Sequence, residues 1–318
     1  MRARKKPYEV IRDRLERVRT VVLDGGVGSE LVRRGVRWRD HGLRTDTAAV
    51  QELHREYLEA GAHVIRTNTF QLNRRIYQNV FRDAAHLHHI GAPDLDQRIP
   101  KLIPRAVDLA RAARQQAGRD NVAIAGVMSP LEHCFRPDLA VSDDQARAEH
   151  AEIAHLLAQA GVDLLLLESM NTLAEARVAV AVARATGLPV WVSFVLDAAG
   201  RVLSGESLSD ASRMARDEGA EAVLVNCAPP EDIERAVAAM DDGDVKIGAC
   251  AHIGRFDPPS WKFEFFPQFS GAEAWPPERY AAAARVWRAQ GAQVIGGCCG
   301  SGPDHVRALK AELAAAWV

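Results

Sequence analysis

What this sequence lacks narrows its function first. It has no apolar run near the roughly 20 residues that a membrane-spanning helix needs. The opening Met1-Arg2-Ala3-Arg4-Lys5-Lys6 is basic, but Ile11-Arg12-Asp13-Arg14-Leu15-Glu16-Arg17 follows where a secretory signal would need an apolar segment. No membrane association and a cytoplasmic location are therefore expected. The formal charge is only -2, so there is no bulk excess of cations to favour nucleic acid as a partner. Five cysteines, an odd number in a chain of 318 residues, do not make a disulfide framework. A division into two smaller α/β domains would need a linker, and no stretch reads as one.

What is present is a repeating alternation of strand and helix. Residues 8 to 19 place Tyr8, Ile11, Leu15 and Val18 on one helical face, which predicts a leading helix packed on the body, an N-terminal helical extension over 1–19. Thr20 to Gly26 reads as the first strand, followed by helix from Ser29. A helix over Thr47 to Ala60 stops at Gly61 and leads to the strand His63 to Phe70. Helical and irregular segments then precede the strand Asn121 to Val127. A helix from Asp143 to Ala160 precedes Val162-Asp163-Leu164-Leu165-Leu166-Leu167-Glu168, whose unbroken apolar run suits a parallel strand covered on both faces. Further strands are expected at Pro189 to Leu196, Ala222 to Cys227, Val245 to Ala251 and Gln293 to Gly297, each with helical sequence after it. Eight such units over 20–318 predict an α/β fold, a single-domain (β/α)8 TIM barrel. Active-site groups in such a barrel lie at the C-terminal strand ends. Here those ends carry Asp24, Thr67, Asn68, Ser129, Glu168, Asn226, Cys227, Cys298 and Cys299.

The cysteines among them point to a metal. Cys298 and Cys299 are adjacent and cannot comfortably bond to each other, so a shared soft metal such as zinc is the candidate partner. Strands 6 and 8 are two apart in a closed barrel, which allows Cys227 to supply the third thiol. Three thiolates leave a tetrahedral zinc one open position, the pattern of a catalytic centre. Adjacent strand residues face opposite ways, so the backbone must turn here, and Gly297 and Gly300 are where that turn is expected.

Leu23-Asp24-Gly25-Gly26, Thr67-Asn68-Thr69-Phe70, Leu167-Glu168, Val225-Asn226-Cys227 and Gly296-Gly297-Cys298-Cys299-Gly300 together resemble, in the same order, the motifs of the homocysteine S-methyltransferase family. The resemblance covers the chain from about Thr20. It implies a zinc-dependent barrel in which the homocysteine sulfur takes the fourth metal position and is methylated to give methionine. It also implies that Asp24 and Glu168 face the substrate amino group, that Thr67, Asn68 and Asn226 supply hydrogen bonds, and that Gly25 and Gly26 let the backbone approach the substrate. Coordination would deprotonate a thiol that is mostly protonated at neutral pH. The partners implied are small molecules, homocysteine and a methyl donor; homo-oligomerisation is left open.

For the donor, S-methylmethionine or S-adenosylmethionine is preferred. Betaine's quaternary ammonium would want an aromatic cage, yet Gln71 and Ser169 stand where the betaine enzymes carry tyrosines. No cobalamin- or folate-binding module follows the barrel, although a homocysteine-binding, methyl-accepting subunit working with a separate corrinoid or folate protein is an alternative. A metal-dependent hydrolase using His86 and His88, from the cluster His86-Leu87-His88-His89, is another. A phosphate site at Gly300-Ser301-Gly302 and a dinucleotide site after the first strand are weaker, the latter because Leu31 replaces the glycine such a fingerprint needs. Cys250 is read as a packing residue and Cys134 as structural or exposed. The aromatic stretch 254–266 is read as a lid, a partner surface or a packed loop.

Overall fold

In a computed structural model, residues 5–36, 40–76, 95–240, 243, 245–254 and 274–315 are described. The chain begins with α1 (Pro7–Glu16), β1 (Val21–Val22), α2 (Val27–Arg33), α3 (Thr47–Ala60) and β2 (Val64–Arg66). Next come α4 (Leu95–Gln116), β3 (Ala123–Met128), α5 (Asp143–Ala160), β4 (Leu164–Met170), α6 (Leu173–Arg184) and β5 (Val190–Val195). Then follow α7 (Leu208–Asp217), β6 (Ala222–Asn226), α8 (Pro230–Ala239), β7 (Lys246–Ala251), α9 (Pro277–Ala289), β8 (Ala292–Gly297) and α10 (Pro303–Ala315).

All neighbouring strands are parallel, in the order β1-β8-β7-β6-β5-β4-β3-β2. The ring closes where Leu23 pairs with Val64. There the Asp24 N–H donates to the Val64 carbonyl at 3.1 Å and the His63 N–H to the Val22 carbonyl at 2.7 Å. The fold is thus the (β/α)8 barrel that the alternation predicts.

Strand residues divide by parity, as the pleat requires. Val21 and Leu23, Ala123 and Ala125, Leu164 and Leu166, and Ala222 and Leu224 pack inside the barrel. Val22, Ile124, Leu165, Leu167, Val223 and Val225 pack outward with the helices. This two-sided burial explains why β4 reads as a run of leucines rather than as an alternation.

Local chemistry sets the helix ends. Ser142 caps α5 by accepting from the Gln145 N–H, and Gly161 ends it in a left-handed conformation at φ 81°. Gly61 ends α3 in the same way, at φ 102°. The segment read as mixed helical and irregular contains α4, a helix of 22 residues with Pro100 and Pro104 inside it. Each internal proline costs about 3 kcal/mol, but α4 buries Ile99, Leu102, Ile103, Ala106, Val107 and Ala110 against the outer layer. Tertiary burial overrides the local signal.

The leading helix does more than lie on the surface. Tyr8, Ile11 and Leu15 of α1 belong to the barrel's inner core, with Trp191 and Ala222 from the N-terminal ends of β5 and β6. The Trp191 indole N–H donates to the Tyr8 hydroxyl at 3.0 Å, and that hydroxyl donates to the Glu221 carboxylate at 2.8 Å. Helix α1 therefore closes the lower mouth and leaves the C-terminal strand ends open for chemistry. Tyr8→Phe removes the acceptor of the buried Trp191 N–H and should lower unfolding free energy by about 1–2 kcal/mol, as read from urea denaturation, with methyl transfer unchanged.

Candidate active site

Cys227 directly follows β6, and Cys298 and Cys299 directly follow β8, with β7 between them. The three sulfurs lie within 4.8 Å of one another, and Cys227 Sγ to Cys298 Sγ is 2.8 Å. All are free thiols. Two backbone departures bring them together. Cys227 itself sits in the left-handed region at φ 52°, strain of about 1 kcal/mol or more for a residue with a Cβ. After β8 the chain turns over Cys298–Ser301, with the Ser301 N–H donating to the Cys298 carbonyl at 3.2 Å and Gly300 at φ 81°. The expected turn is thus carried by Gly300. Gly297 is required for another reason: a Cβ there would lie 1.9 Å from Ser301 Oγ.

Thiols so close cannot all ionise unaided. Hydrogen bonds from Cys227 and Cys299 pull the Cys298 thiol well down; hydrogen bonding to Cys298 pushes Cys227 well up, and at Cys299 the opposing hydrogen bond with Cys227 is outweighed by hydrogen bonding to Cys298 together with burial. The cluster alone therefore stabilises one shared negative charge, and three thiolates need a cation. Three soft donors converging on one point fit a thiophilic metal ion. Asn226 adds to this environment. Its side-chain N–H group donates to Ser169 Oγ at 2.6 Å and faces Cys227 Sγ at 3.4 Å and Cys298 Sγ at 3.9 Å. Ser193 fixes the other end of that amide, donating to Asn226 Oδ1 at 2.6 Å. Ser169, at φ 62°, follows an irregularity where β4 continues beyond Glu168, the expected strand end.

Arg66, at the end of β2, stands beside this cluster, and the sequence reading passed over it. Its side chain is 4% exposed. Nε donates to Asp24 Oδ1 at 2.7 Å, while the Arg66 backbone N–H donates to Asp24 Oδ2 at 2.8 Å. Nη1 pairs with Glu168, and Nη2 donates to the carbonyls of Asp24, Gly25 and Gly297 at 3.0, 2.6 and 2.8 Å. Burial pushes both the Asp24 and the Glu168 carboxyls up, and Arg66 opposes this in each case. Burial disfavours the guanidinium charge, but Glu168 and Asp24 outweigh it and hold Arg66 charged. Both Asp24 oxygens are thus engaged by one arginine, whereas Glu168 meets Arg66 through one oxygen and lines a pocket with Cys227, Cys298 and Cys299.

The other expected residues fall nearby with mixed roles. Thr67 and Asn68 line the pocket, but Thr67 Oγ1 accepts from the Val127 N–H at 3.0 Å and Asn68 donates to the His41 carbonyl at 2.6 Å. A Cβ on Gly25 would meet the Ser301 carbonyl at 2.3 Å, and one on Gly26 the Cys298 carbonyl at 2.5 Å. These glycines are needed for backbone packing against the β8 loop. Ser301 is spent internally: its hydroxyl donates to the Cys298 carbonyl and its carbonyl accepts from the Gly26 N–H. Cys250 is buried in the inner core, as expected. Cys134 is not exposed: it is buried, lines the same pocket, and its thiol is pushed up to about 12, chiefly by burial. The His86–His89 cluster and residues 255–266 of the aromatic stretch lie outside the described residues.

The sequence pattern described as homocysteine S-methyltransferase matches residues 21–313. The chain belongs to the homocysteine S-methyltransferase family. It is accordingly an enzyme of that class, whose reaction is methyl transfer to homocysteine. Betaine–homocysteine S-methyltransferase 1 of Danio rerio is 30% identical, with 95% of this chain and 75% of that protein aligned. The S-methylmethionine–homocysteine S-methyltransferase of Pongo abelii is 28% identical over 96% of this chain and 81% of that one. Among solved structures, the metallated homocysteine methyltransferase MmuM from Escherichia coli superposes with a TM-score of 0.74 at 24% identity. That match covers 95% of this chain and 99% of that one and shows a shared fold. No described helix is long and apolar enough to cross a membrane.

Replacing Arg66 tests its place in this family member. Arg66→Lys cannot reproduce the planar set of bonds to two carboxylates and three carbonyls. Unfolding free energy should fall by about 3 kcal/mol or more, read from guanidinium denaturation; a loss within error would remove the buried guanidinium from its central role.

Proposed function

We propose that this chain is a zinc enzyme that moves a methyl group from a small sulfonium donor, S-methylmethionine or S-adenosylmethionine, to the thiol of homocysteine. The observation that carries this reading is the convergence of Cys227, Cys298 and Cys299 within 4.8 Å, in a pocket shared with Glu168. Three protein ligands leave a tetrahedral zinc one position for a substrate atom. Bound there, the ion supplies deprotonation of the substrate thiol near neutral pH.

The chain's own residues do the rest. Asn226 directs its N–H group at two of the sulfurs, which tempers their charge and fixes their direction. Glu168 offers its remaining oxygen to the ammonium group of homocysteine, while Arg66 favours the ionised form of that carboxyl. Asp24 acts at one remove, by holding Arg66 rather than by touching the substrate. Thr67 and Asn68 shape the wall next to Arg66. The homocysteine sulfur forms the new bond to the methyl carbon as the donor's sulfur–methyl bond breaks. The bonding pair departs with the donor sulfur, which turns a sulfonium into a neutral thioether. Burial of the cluster keeps water from competing.

The donor reading rests on what faces the pocket. Among the described residues its aromatic rings are Phe70 and Phe135, and Ser169 contributes a hydroxyl bonded to Asn226. Gln71 is buried beside Ser129. Enclosing a quaternary ammonium calls for a fuller aromatic box. The related proteins include one named for betaine and one named for S-methylmethionine, so position-specific chemistry carries the choice.

Purified protein should hold about one zinc per chain, and a chelator should abolish methylation of homocysteine until zinc is restored. Cys298→Ala should lose both the metal and the reaction; full zinc content at a normal rate would sink the proposal. Given S-methylmethionine, S-adenosylmethionine and betaine in parallel, the enzyme should turn over a sulfonium and leave betaine unused. Glu168→Gln should raise KM for homocysteine about tenfold through loss of a charge-assisted contact, with a smaller change in kcat.

A further inference from the structure

At the rim of the lower mouth, between the C-terminal end of α1 and α10, lies a second cavity of about 590 Å3, at the opposite strand ends from the cysteines. Its polar lining is Arg14, Arg17, Arg19, Thr20, His63 and Lys310, and no carboxylate lines it among the described residues. Arg14, Arg19 and Lys310 form no ion pair with a described carboxylate. A cluster of cations at the C-terminal end of α1 has an ordinary explanation, compensation of helix-end carbonyls. One nitrogen of Arg14 donates at 3.0 Å to the carbonyl of Thr20, which lies beyond the helix, so that explanation does not account even for this bond. It leaves Arg14 Nε buried without a partner. It also leaves Arg19 and Lys310 unaccounted for.

The contact between His63 and Lys310 is the sharper observation. The Val22 N–H donates to His63 Nδ1 at 2.9 Å, so that nitrogen carries the lone pair. The ring proton of the neutral imidazole is then on Nε2, and Nε2 lies 2.8 Å from Lys310 Nζ. While Lys310 is charged, two donors meet head to head; an uncharged Lys310 amine would instead accept the Nε2 proton. Burial holds the imidazole pKa down to about 3, with Arg14, Lys310 and Arg119 adding repulsion, and burial likewise lowers Lys310. Nothing cationic is gained by this arrangement unless an acceptor oxygen takes both N–H groups at once.

The geometry points to a binding site for a phosphate-bearing anion at the lower mouth, with Lys310, His63 Nε2, Arg14 and Arg19 as its donors. Several cations without a facing acid favour a multiply charged ligand. The volume falls in the range of roughly 300–1,000 Å3 typical of small-molecule sites, which suits an oligophosphate better than a single phosphate. Val22, Leu313 and Ala314 add an apolar wall for an organic group attached to it. None of these residues touches the cysteine pocket, so this site stands or falls independently of the metal and the methyl donor.

The test is calorimetric titration of the whole protein with inorganic phosphate, tripolyphosphate and ATP at constant ionic strength. Binding should tighten with the number of phosphates. Lys310→Gln and the exposed Arg19→Gln should each weaken it about tenfold, while Arg213→Gln, on the distant surface of α7, leaves it unchanged. Tripolyphosphate binding as well as ATP would place recognition in the phosphates alone, and tighter ATP would add its nucleoside; both support the site. Because Arg19 is solvent-exposed, its replacement reports on the site even if Lys310→Gln is destabilised. Flat titrations with all three anions, or an affinity that both site variants retain, would overturn the proposal.

Discussion

The architecture of the upper mouth depends on one buried guanidinium. Arg66 ties the end of β2 to the loop after β1 through Asp24 and Gly25, to β4 through Glu168, and to β8 through the Gly297 carbonyl. A charge placed this deeply is tolerated only if its donors are matched, and here they meet two carboxylates and three carbonyls. The cysteine loop after β8 and the carboxylate facing the pocket are thereby held in one frame. When both acids are ionised, two carboxylates and one guanidinium leave this frame with an excess of negative charge, to which the one charge shared by the thiols would add. A cationic metal on one side and the substrate's ammonium group on the other would both relieve that excess.

Strain and close approach complete the frame. Cys227 and Ser169 are both left-handed without being glycines, and they stand at the ends of β6 and β4 with Asn226 bonded between them. Their conformations aim side chains inward at strand ends, where an extended backbone would carry successive residues to opposite faces. Across the ring, the β1 and β8 loops pack backbone to backbone, which is why Gly25, Gly26 and Gly297 lack room for a Cβ. These glycines bring the backbone of Cys298 against the β1 loop, beside Asp24 and Arg66.

The two mouths of the barrel are built for opposite charges. Above, carboxylates and thiols collect around one arginine. Below, α1 seals the core with Tyr8, Ile11 and Leu15 and carries Arg14 to the rim, where Arg19, His63 and Lys310 gather. The parallel strands make this separation possible, because every strand delivers its C-terminal end to the same side.

The sequence by itself determined the strand and helix alternation, the barrel, and the identity of the three cysteines. Apolar runs, glycine stops and residues at strand ends are local signals, and local chemistry executes them at Gly61, Ser142, Gly161 and Gly300. Tertiary structure decided what each polar residue faces. Asp24 read as a substrate-facing acid, yet its oxygens are turned to Arg66, 42 positions away, because a buried carboxylate is captured by the nearest matched donor. Arg66 was not singled out within its strand, and Cys134 read as structural or exposed, since nothing in their sequence neighbours signals the long-range contact. The helix α4 was hidden by its prolines for the complementary reason: the apolar burial that outweighs them exists only once the barrel has closed.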